Sequence, residues 1–543
     1  MARGAARTEV FAAMGLPPML RRGYRRRENL APRTGYSDLN RIVGMNAGTM
    51  KKLIPGMCAV LLGAAASAQS NPQNSAANPY VGSVQAVAYT AEPKALSLDD
   101  AIKLGIENNL ALTLAREQQK SADAEKLELV NVLLPDLTLH GETGVHQFNL
   151  EALGFHPSLL PEFLPLLPKG TNLSSLHLIT KVDTTVGQVN FSQALFNWAG
   201  YDVWRAAQAF QKAAYYNAQS SRGLVVLNVG NTYLQALAAR AQAEYARALE
   251  KTDETVFNQA HEEHVAGTAA NLDELRARVQ LESQQQVVIE AENNFEKAKI
   301  ALNREIGLPP EQAIVLTDSA PYAELHPMDL VDARMEAYAS RQDYQALKQE
   351  LIVAERERKA TTHERYPTLT FGGNWGVTGI SGGVYHETFA AVGTLSIPIF
   401  KEAEFRGDRD VAEAQLEEIQ SRLGDLKQKI DAQLRDSLLD LETATETVSV
   451  AKSNVELATT ALDQTQQRFA AGVADNLPVA EAQSTLAAAE TQYVNSVYEL
   501  NEARLGLARN LGIIDTQYRV FLQGGNPPEV KSDKAAGEPK VEK

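Results

Sequence analysis

The sequence predicts a mainly α-helical chain with a membrane β-barrel portion: a duplicated helix, strand, strand, long helix, helix unit. Three observations carry this. The chain aligns with itself over two long stretches. Two stretches rich in Ala, Gln and Glu run for about 65 residues each without a proline. Four shorter stretches alternate apolar and polar side chains, the period of a strand with one apolar and one polar face.

The alignment is ungapped in two blocks. Leu98–Leu139 matches Leu330–Phe371 at an offset of 232, and Asn231–Leu308 matches Asp436–Ile513 at an offset of 205. About 16 of the 78 positions in the second block are identical, among them Gly267/Gly472, Asn271/Asn476, Leu272/Leu477, Arg304/Arg509 and Gly307/Gly512. Two copies this long do not make a solenoid, which stacks many short units. The offsets differ by 27, so the first copy carries an insertion of that size, placed between His146 and Val182.

From the start, Met1–Thr49 reads as an upstream extension called too early, with Met50 the true start. Residues 50–68 have the order of a secretory signal: Lys51 and Lys52, an apolar run from Leu53, then Ala66-Ser67-Ala68. Gln69–Ala95 is expected to be a flexible leader. The first repeat spans 96–313, with helices at 98–134, 201–265 and 272–307 and strands at about 136–146 and 184–195. Its hairpin loop covers 147–183. Ser97 is the expected N-cap of the first helix, the Asn108-Asn109 pair its interruption, and Pro135 its end. A linker at 314–328 leads to the second repeat, 329–513, with helices at 330–365, 405–470 and 477–512 and strands at about 368–378 and 388–398. The tail 514–543 is expected to be disordered.

Composition narrows function. The 543 residues carry 52 basic and 67 acidic side chains. Residues 1–68 hold 11 of the basic and 3 of the acidic ones, which leaves 41 and 64, a net charge near -23. That argues against nucleic acid as a partner. Cys58 is the one cysteine, so disulfide frameworks and cysteine-rich metal sites are excluded. No stretch after the signal is long and apolar enough for a helical span. His261 and His264 share a helix face, but two ligands make no metal site. No catalytic motif and no cofactor motif is present, and an enzyme is not expected.

Alternating strands with an apolar outside are the pattern of an outer-membrane barrel. Four strands cannot close one, because bacterial barrels start at eight. Several chains must therefore share it, and three would supply twelve strands.

The layout resembles the TolC-like outer-membrane efflux family over about Leu96–Ile513. The matching motifs are Leu96-Ser97-Leu98-Asp99-Asp100-Ala101-Ile102, Leu134-Pro135-Asp136-Leu137, Phe191-Ser192-Gln193-Ala194-Leu195-Phe196, Leu395-Ser396-Ile397-Pro398-Ile399-Phe400 and Arg468-Phe469-Ala470-Ala471-Gly472-Val473. The resemblance implies a homotrimer with a twelve-stranded barrel in outer-membrane lipid and a long helical tunnel in the periplasm. Its implied partners are a periplasmic adaptor (membrane fusion) protein and, through it, an inner-membrane transporter. Helix turns that meet the adaptor map to Ala266, Gly267, Thr268 and Leu272, and to Ala471, Gly472, Val473 and Leu477. Acidic gate candidates are Asp273, Asp475 and Glu481. Phe469, Ala474 and Pro478 depart from the pattern of the family's best-studied member. The expected function is the passive exit duct of a tripartite small-molecule efflux pump. A duct for type I protein secretion or metal efflux is the alternative within this class, and a secreted coiled-coil scaffold the alternative outside it.

Overall fold

The computed structural model describes residues 78–84, 87–149, 179–268, 270–318, 328–380, 382–471, 473 and 477–523. The chain divides into two units, Met1–Gly63 and Ala64–Lys543, and every described residue belongs to the second. The expected extension and signal segment lie outside the described residues.

The first predicted helix is two. Helix α1 (Leu98–Asn108) starts on Ser97, whose side chain accepts from Asp100 N, with Asp99 and Asp100 in the first turn where the helix dipole favours them. Asn109 closes it and opens α2 (Leu110–Val130) by accepting from Ala111 N at 2.9 Å. Helices α3 (Trp198–Val265) and α4 (Asn271–Ile306) follow the first pair of strands. In the second repeat the single helix expected at 330–365 is also split, into α5 (Leu330–Ser340) and α6 (Gln342–His363). Arg341 stands at the break with extended backbone. Its side chain, 4% exposed, donates to Asp343 and Gln433 across the packing. Arginine is a good helix former, so tertiary contacts set this break and local propensity does not. Helices α7 (Glu402–Ala470) and α8 (Leu477–Leu511) complete the repeat.

α3 and α7 have 68 and 69 residues, about 100 Å each at the usual rise. Small side chains let their neighbours come close. A Cβ on Gly230 in α3 would sit 2.9 Å from Leu505 Cδ1 in α8.

The strands are longer than the alternation suggests: β2 (Asp136–Asn149), β3 (Ile179–Phe196), β5 (Thr368–Ile380) and β6 (Tyr385–Ser396). They form one antiparallel sheet in the order β2-β3-β5-β6. Ladder pairing carries them past the alternating residues. The hairpin loop thus shrinks to 150–178, outside the described residues. Only residues 381–384 separate β5 from β6, so the insertion in the first repeat lies in the β2–β3 connection.

The expected leader and linker are partly structured. Strand β1 (Lys94–Leu96) pairs in parallel with β4 (Ile314–Leu316). Asn109 Nδ2 donates to Tyr80 O at 2.7 Å and ties the leader to the helix break. Linker residues 319–327 lie outside the described residues. The tail also needs correction. Residues Ile514–Gln523 form α9, and Phe521 and Leu522 are each 1% exposed in the main core. Ile514, Phe521 and Leu522 lie at helical spacing, so one face can be buried. Residues 524–543 lie outside the described residues.

The core sits at this level. Leu96, Leu316, Val229, Tyr233, Leu302, Leu434, Leu505 and Phe521 belong to one cluster. The Tyr233 hydroxyl lies 3.0 Å from Leu96 O and 2.9 Å from Asp318 Oδ2, which also accepts from Leu98 N at 2.7 Å. Burial first, then Asp318, raises the Tyr233 pKa. Arg240 donates to the Leu316 and Asp318 carbonyls. Both short strands are thereby anchored to α3.

Candidate functional site

Two regions bear on function: the sheet at one end of the helices and the helical hairpins at the other. The sheet register sorts side chains by face. Leu139, Val189, Trp375 and Phe389 align across all four strands, as do Leu137, Phe191, Gly373 and Ala391. The alternate rows are Thr138, Asn190, Asn374 and Ala390, then His140, Gln188, Gly376 and Thr388. Phe191 and Phe371 meet edge to face, ring centroids 5.9 Å apart. Leu139, Trp375 and Phe389 are 83%, 61% and 81% exposed, so no part of the described chain covers the apolar face. β2 and β6 are edge strands. The sheet thus combines a bare apolar face with two open edges.

At the other end α3 and α4 meet in one hairpin, α7 and α8 in another. The first turn closes on Gly267, with φ +78° and no atom within 4 Å of a built Cβ. Thr268 donates from both N and Oγ1 to Glu263 O at 2.9 Å, and Ala266 N donates to Glu262 O. Two hydrogen bonds of the second turn match those of the first. Ala471 N donates to Gln467 O, and Val473 N to Arg468 O, the counterpart of Glu263. Gly472 lies outside the described residues. Val256, Ala260 and Ala277 of the first hairpin pack with Ala458, Leu462, Val479 and Leu486 of the second.

Among the described residues, Ala266, Gly267, Thr268, Ala471 and Val473 thus fall at the two helix reversals, and Leu272 and Leu477 lie at the starts of α4 and α8. Leu272, Val473 and Leu477 are exposed. The structure adds Val265, Leu275 and Val279, also exposed. Leu272, Leu275 and Val279 have i, i+3, i+7 spacing and form an apolar stripe on α4. That spacing was legible, but attention to the turns alone passes over it.

Of the gate candidates, Asp273 lies in the first turn of α4 and Glu481 in the second turn of α8, while Asp475 lies outside the described residues. Asp273 is 3.7 Å from Arg276 on its own helix, and Glu481 is exposed. The repeat alignment sets Glu481 where the first hairpin has Arg276, so the two tips carry opposite charge at equivalent places. His261 and His264 both turn to Glu274 across the hairpin, at 2.8 and 3.7 Å. Among the described residues no group of three or more His, Cys, Asp or Glu side chains is arranged to hold a metal. Deeper in the bundle Asp253 is 1% exposed, where the second repeat has Ala458. Burial pushes its carboxyl up to about 6, partly opposed by the Gln280 side chain.

This arrangement matches a known family. The family model described as outer membrane efflux protein matches residues 101–308 and 334–513, more than half of the chain. The chain belongs to the outer membrane efflux protein family. It is an outer-membrane protein of the TolC-like kind, as its motifs imply. Relatives in this family include the pyoverdine export outer membrane protein OpmQ of Pseudomonas aeruginosa, 25% identical over 61% of this chain and 70% of its own length. The alkaline protease secretion protein AprF of the same organism is 26% identical, over 61% and 70%. The fold is shared with solved channels. The Campylobacter jejuni CmeC outer membrane channel has a TM-score of 0.64 at 16% identity, covering 79% of this chain and 87% of that one. Vibrio cholerae VceC has a TM-score of 0.62 at 16% identity, covering 76% and 96%. Family membership removes the secreted scaffold from consideration.

Proposed function

We propose that three copies of this chain form a passive outer-membrane exit duct for small molecules, fed by a periplasmic adaptor and an inner-membrane transporter. The observation that carries this is the bare apolar sheet face with two open edges. Lipid leaves no water to satisfy edge N–H and C=O groups, so an open sheet cannot stand in a membrane. Pairing β6 of one copy with β2 of the next removes every edge, and three copies give twelve strands. With 12 to 18 residues the strands are long enough to cross, since about 9–11 tilted residues suffice. The test is the protein mass after detergent extraction, with detergent subtracted. Three chains per particle supports the duct; a monomer or dimer soluble without detergent sinks it.

The adaptor docks on the tips in this reading, at Ala266, Gly267, Thr268 and Leu272 and at Ala471, Gly472, Val473 and Leu477, extended by Leu275 and Val279. Leu272→Asp should abolish efflux in cells, read as substrate susceptibility equal to that of a deletion strain, while the detergent particle keeps its mass. Unchanged susceptibility would remove Leu272 from the dock. Asp273, Asp475 and Glu481 would line the narrow end of the tunnel, where carboxylates favour cations. In bilayer recordings, Asp273→Asn with Glu481→Gln should then weaken cation preference. An unchanged preference would place both outside the constriction.

Small-molecule cargo fits the likeness to OpmQ. The likeness to AprF favours a second reading, a duct for protein secretion. A deletion strain separates them: loss of an exported protein from the medium supports the second, and greater sensitivity to toxic small molecules the first.

A further inference from the structure

The two helical hairpins share a pattern but differ at four equivalent positions. Asp253, His261, His264 and Glu274 of the first stand where the second has Ala458, Gln466, Phe469 and Val479. All four ionisable groups therefore lie on one hairpin.

They form two layers. At the tip, His261 Nδ1 on α3 lies 2.8 Å from Glu274 Oε1 on α4, and His264 Nε2 lies 3.7 Å from Oε2 of the same carboxylate. One carboxylate thus clasps two imidazoles across the hairpin. Phe257 stacks on His261 one turn deeper, ring centroids 6.1 Å apart. One further turn in, Asp253 is 1% exposed, and neither of its carboxyl oxygens has a hydrogen-bond partner of normal geometry. Gln280 of α4 stands beside it and partly opposes the effect of burial.

Other charges near these layers are held elsewhere or face water. Around the clasp, Glu263 on α3 accepts from Gln259 at 2.9 Å, and Glu262 is exposed. On α4, Asp273 is 3.7 Å from Arg276, and Arg278 is 3.0 Å from Glu282. The second hairpin brings Arg468 on α7 and Glu481 on α8, both exposed. At the depth of Asp253, Lys251 and Glu254 on α3 and Glu456 and Asp463 on α7 are exposed as well.

Both layers respond to acid in the same direction. Burial lifts the Asp253 carboxyl from 3.8 to about 6, so the packed hairpin keeps a proton that an opened one releases. Packing at Asp253 is then firmest below 3.8 and weakens as pH rises to about 6. A histidine gains its charge as pH falls through about 6.5. Imidazolium attracts a carboxylate more strongly than neutral imidazole does.

We propose that the first hairpin is an acid-tightened arm, closed by the Glu274 clasp and the buried Asp253, and that the second hairpin lacks this response. Acidification of the periplasm stiffens the tip that carries Leu272, Leu275 and Val279 and leaves the other tip as it was. The inference concerns a hairpin within one chain and does not depend on the duct reading.

Amide hydrogen exchange of the detergent-extracted protein at pH 5 and pH 8, corrected for intrinsic exchange rates, reads both hairpins in one sample. Residues 250–285 should gain about tenfold more protection at pH 5 than residues 455–490 do. Asp253→Ala copies the second hairpin, and Glu274→Gln removes the charge of the clasp. Each should shrink the difference, and the double variant should abolish it. Hairpins that respond alike, or a difference that survives in the double variant, overturn the proposal. A difference untouched by Asp253→Ala overturns its buried layer. The particle mass, measured separately, tests the duct.

Discussion

Gly512→Ala should destabilise the protein by about 3 kcal/mol, far more than the same change at Gly267. Both glycines adopt left-handed backbone, with φ of +82° and +78°. A side chain in that region costs about 1–2 kcal/mol by itself. Gly267 has open space around a built Cβ, so strain is its whole penalty. At Gly512 the same Cβ falls 2.6 Å from Arg341 N and 2.7 Å from Arg341 Cα. Backbone cannot swing aside as a side chain can, and overpacking of this kind adds about 1–3 kcal/mol. Gly307, its counterpart in the first repeat, is intermediate. Its Cβ would meet the Asn108 side chain at 2.6 Å, and Asn108 is held by its bond to Ile306 O. Unfolding midpoints in denaturant should rank Gly267→Ala highest, then Gly307→Ala, then Gly512→Ala. Equal midpoints would mean that only the backbone angle matters.

Asp202→Ala should cost about 3 kcal/mol, the lower end for breaking a buried ion pair. Asp202, in the second turn of α3, is 4% exposed at its side chain. One oxygen lies 3.1 Å from Arg356 Nη1 and the other 2.6 Å from His363 Nδ1, both on α6. The pair pins α6 to α3 just below the sheet, where His363 stacks on Tyr366 and Trp198 meets Tyr201. Arg356 and His363 keep about a quarter of their surface in water, which moderates the loss. Asp202→Asn keeps the shape and one acceptor and should cost less than the alanine variant. The heating temperature at which the detergent particle dissociates reads both. An alanine variant as robust as the parent would show that aromatic packing holds this junction unaided.

What the sequence disclosed depended on period. The four strands and the two long hairpins repeat every two or every 3.6 residues over many turns, and each appears twice. Their faces, order and turns were legible for that reason. β1 and β4 have three residues each, too few for any period, and they pair across most of the first repeat. The break at Asn109 was legible because asparagine caps helices; the break at Arg341 was not, because Gly512 and Gln433 impose it from elsewhere in the chain. At the tips the glycines and the chain reversal could be read directly. The apolar stripe on α4 needed the further knowledge that no neighbour covers it.

The open edges of β2 and β6 bear on how a cell mixes good and bad copies. In the shared barrel, a subunit leaving a finished duct would drag two bare ladders through lipid. If the proposed barrel forms, exchange would be closed after insertion, and each duct would keep the three chains it was born with. A defective copy made beside a sound one would be locked into mixed ducts. Mutations that spoil the tips while sparing the sheet would then act dominantly, and mutations that spoil the edges would be silent in the presence of a sound gene.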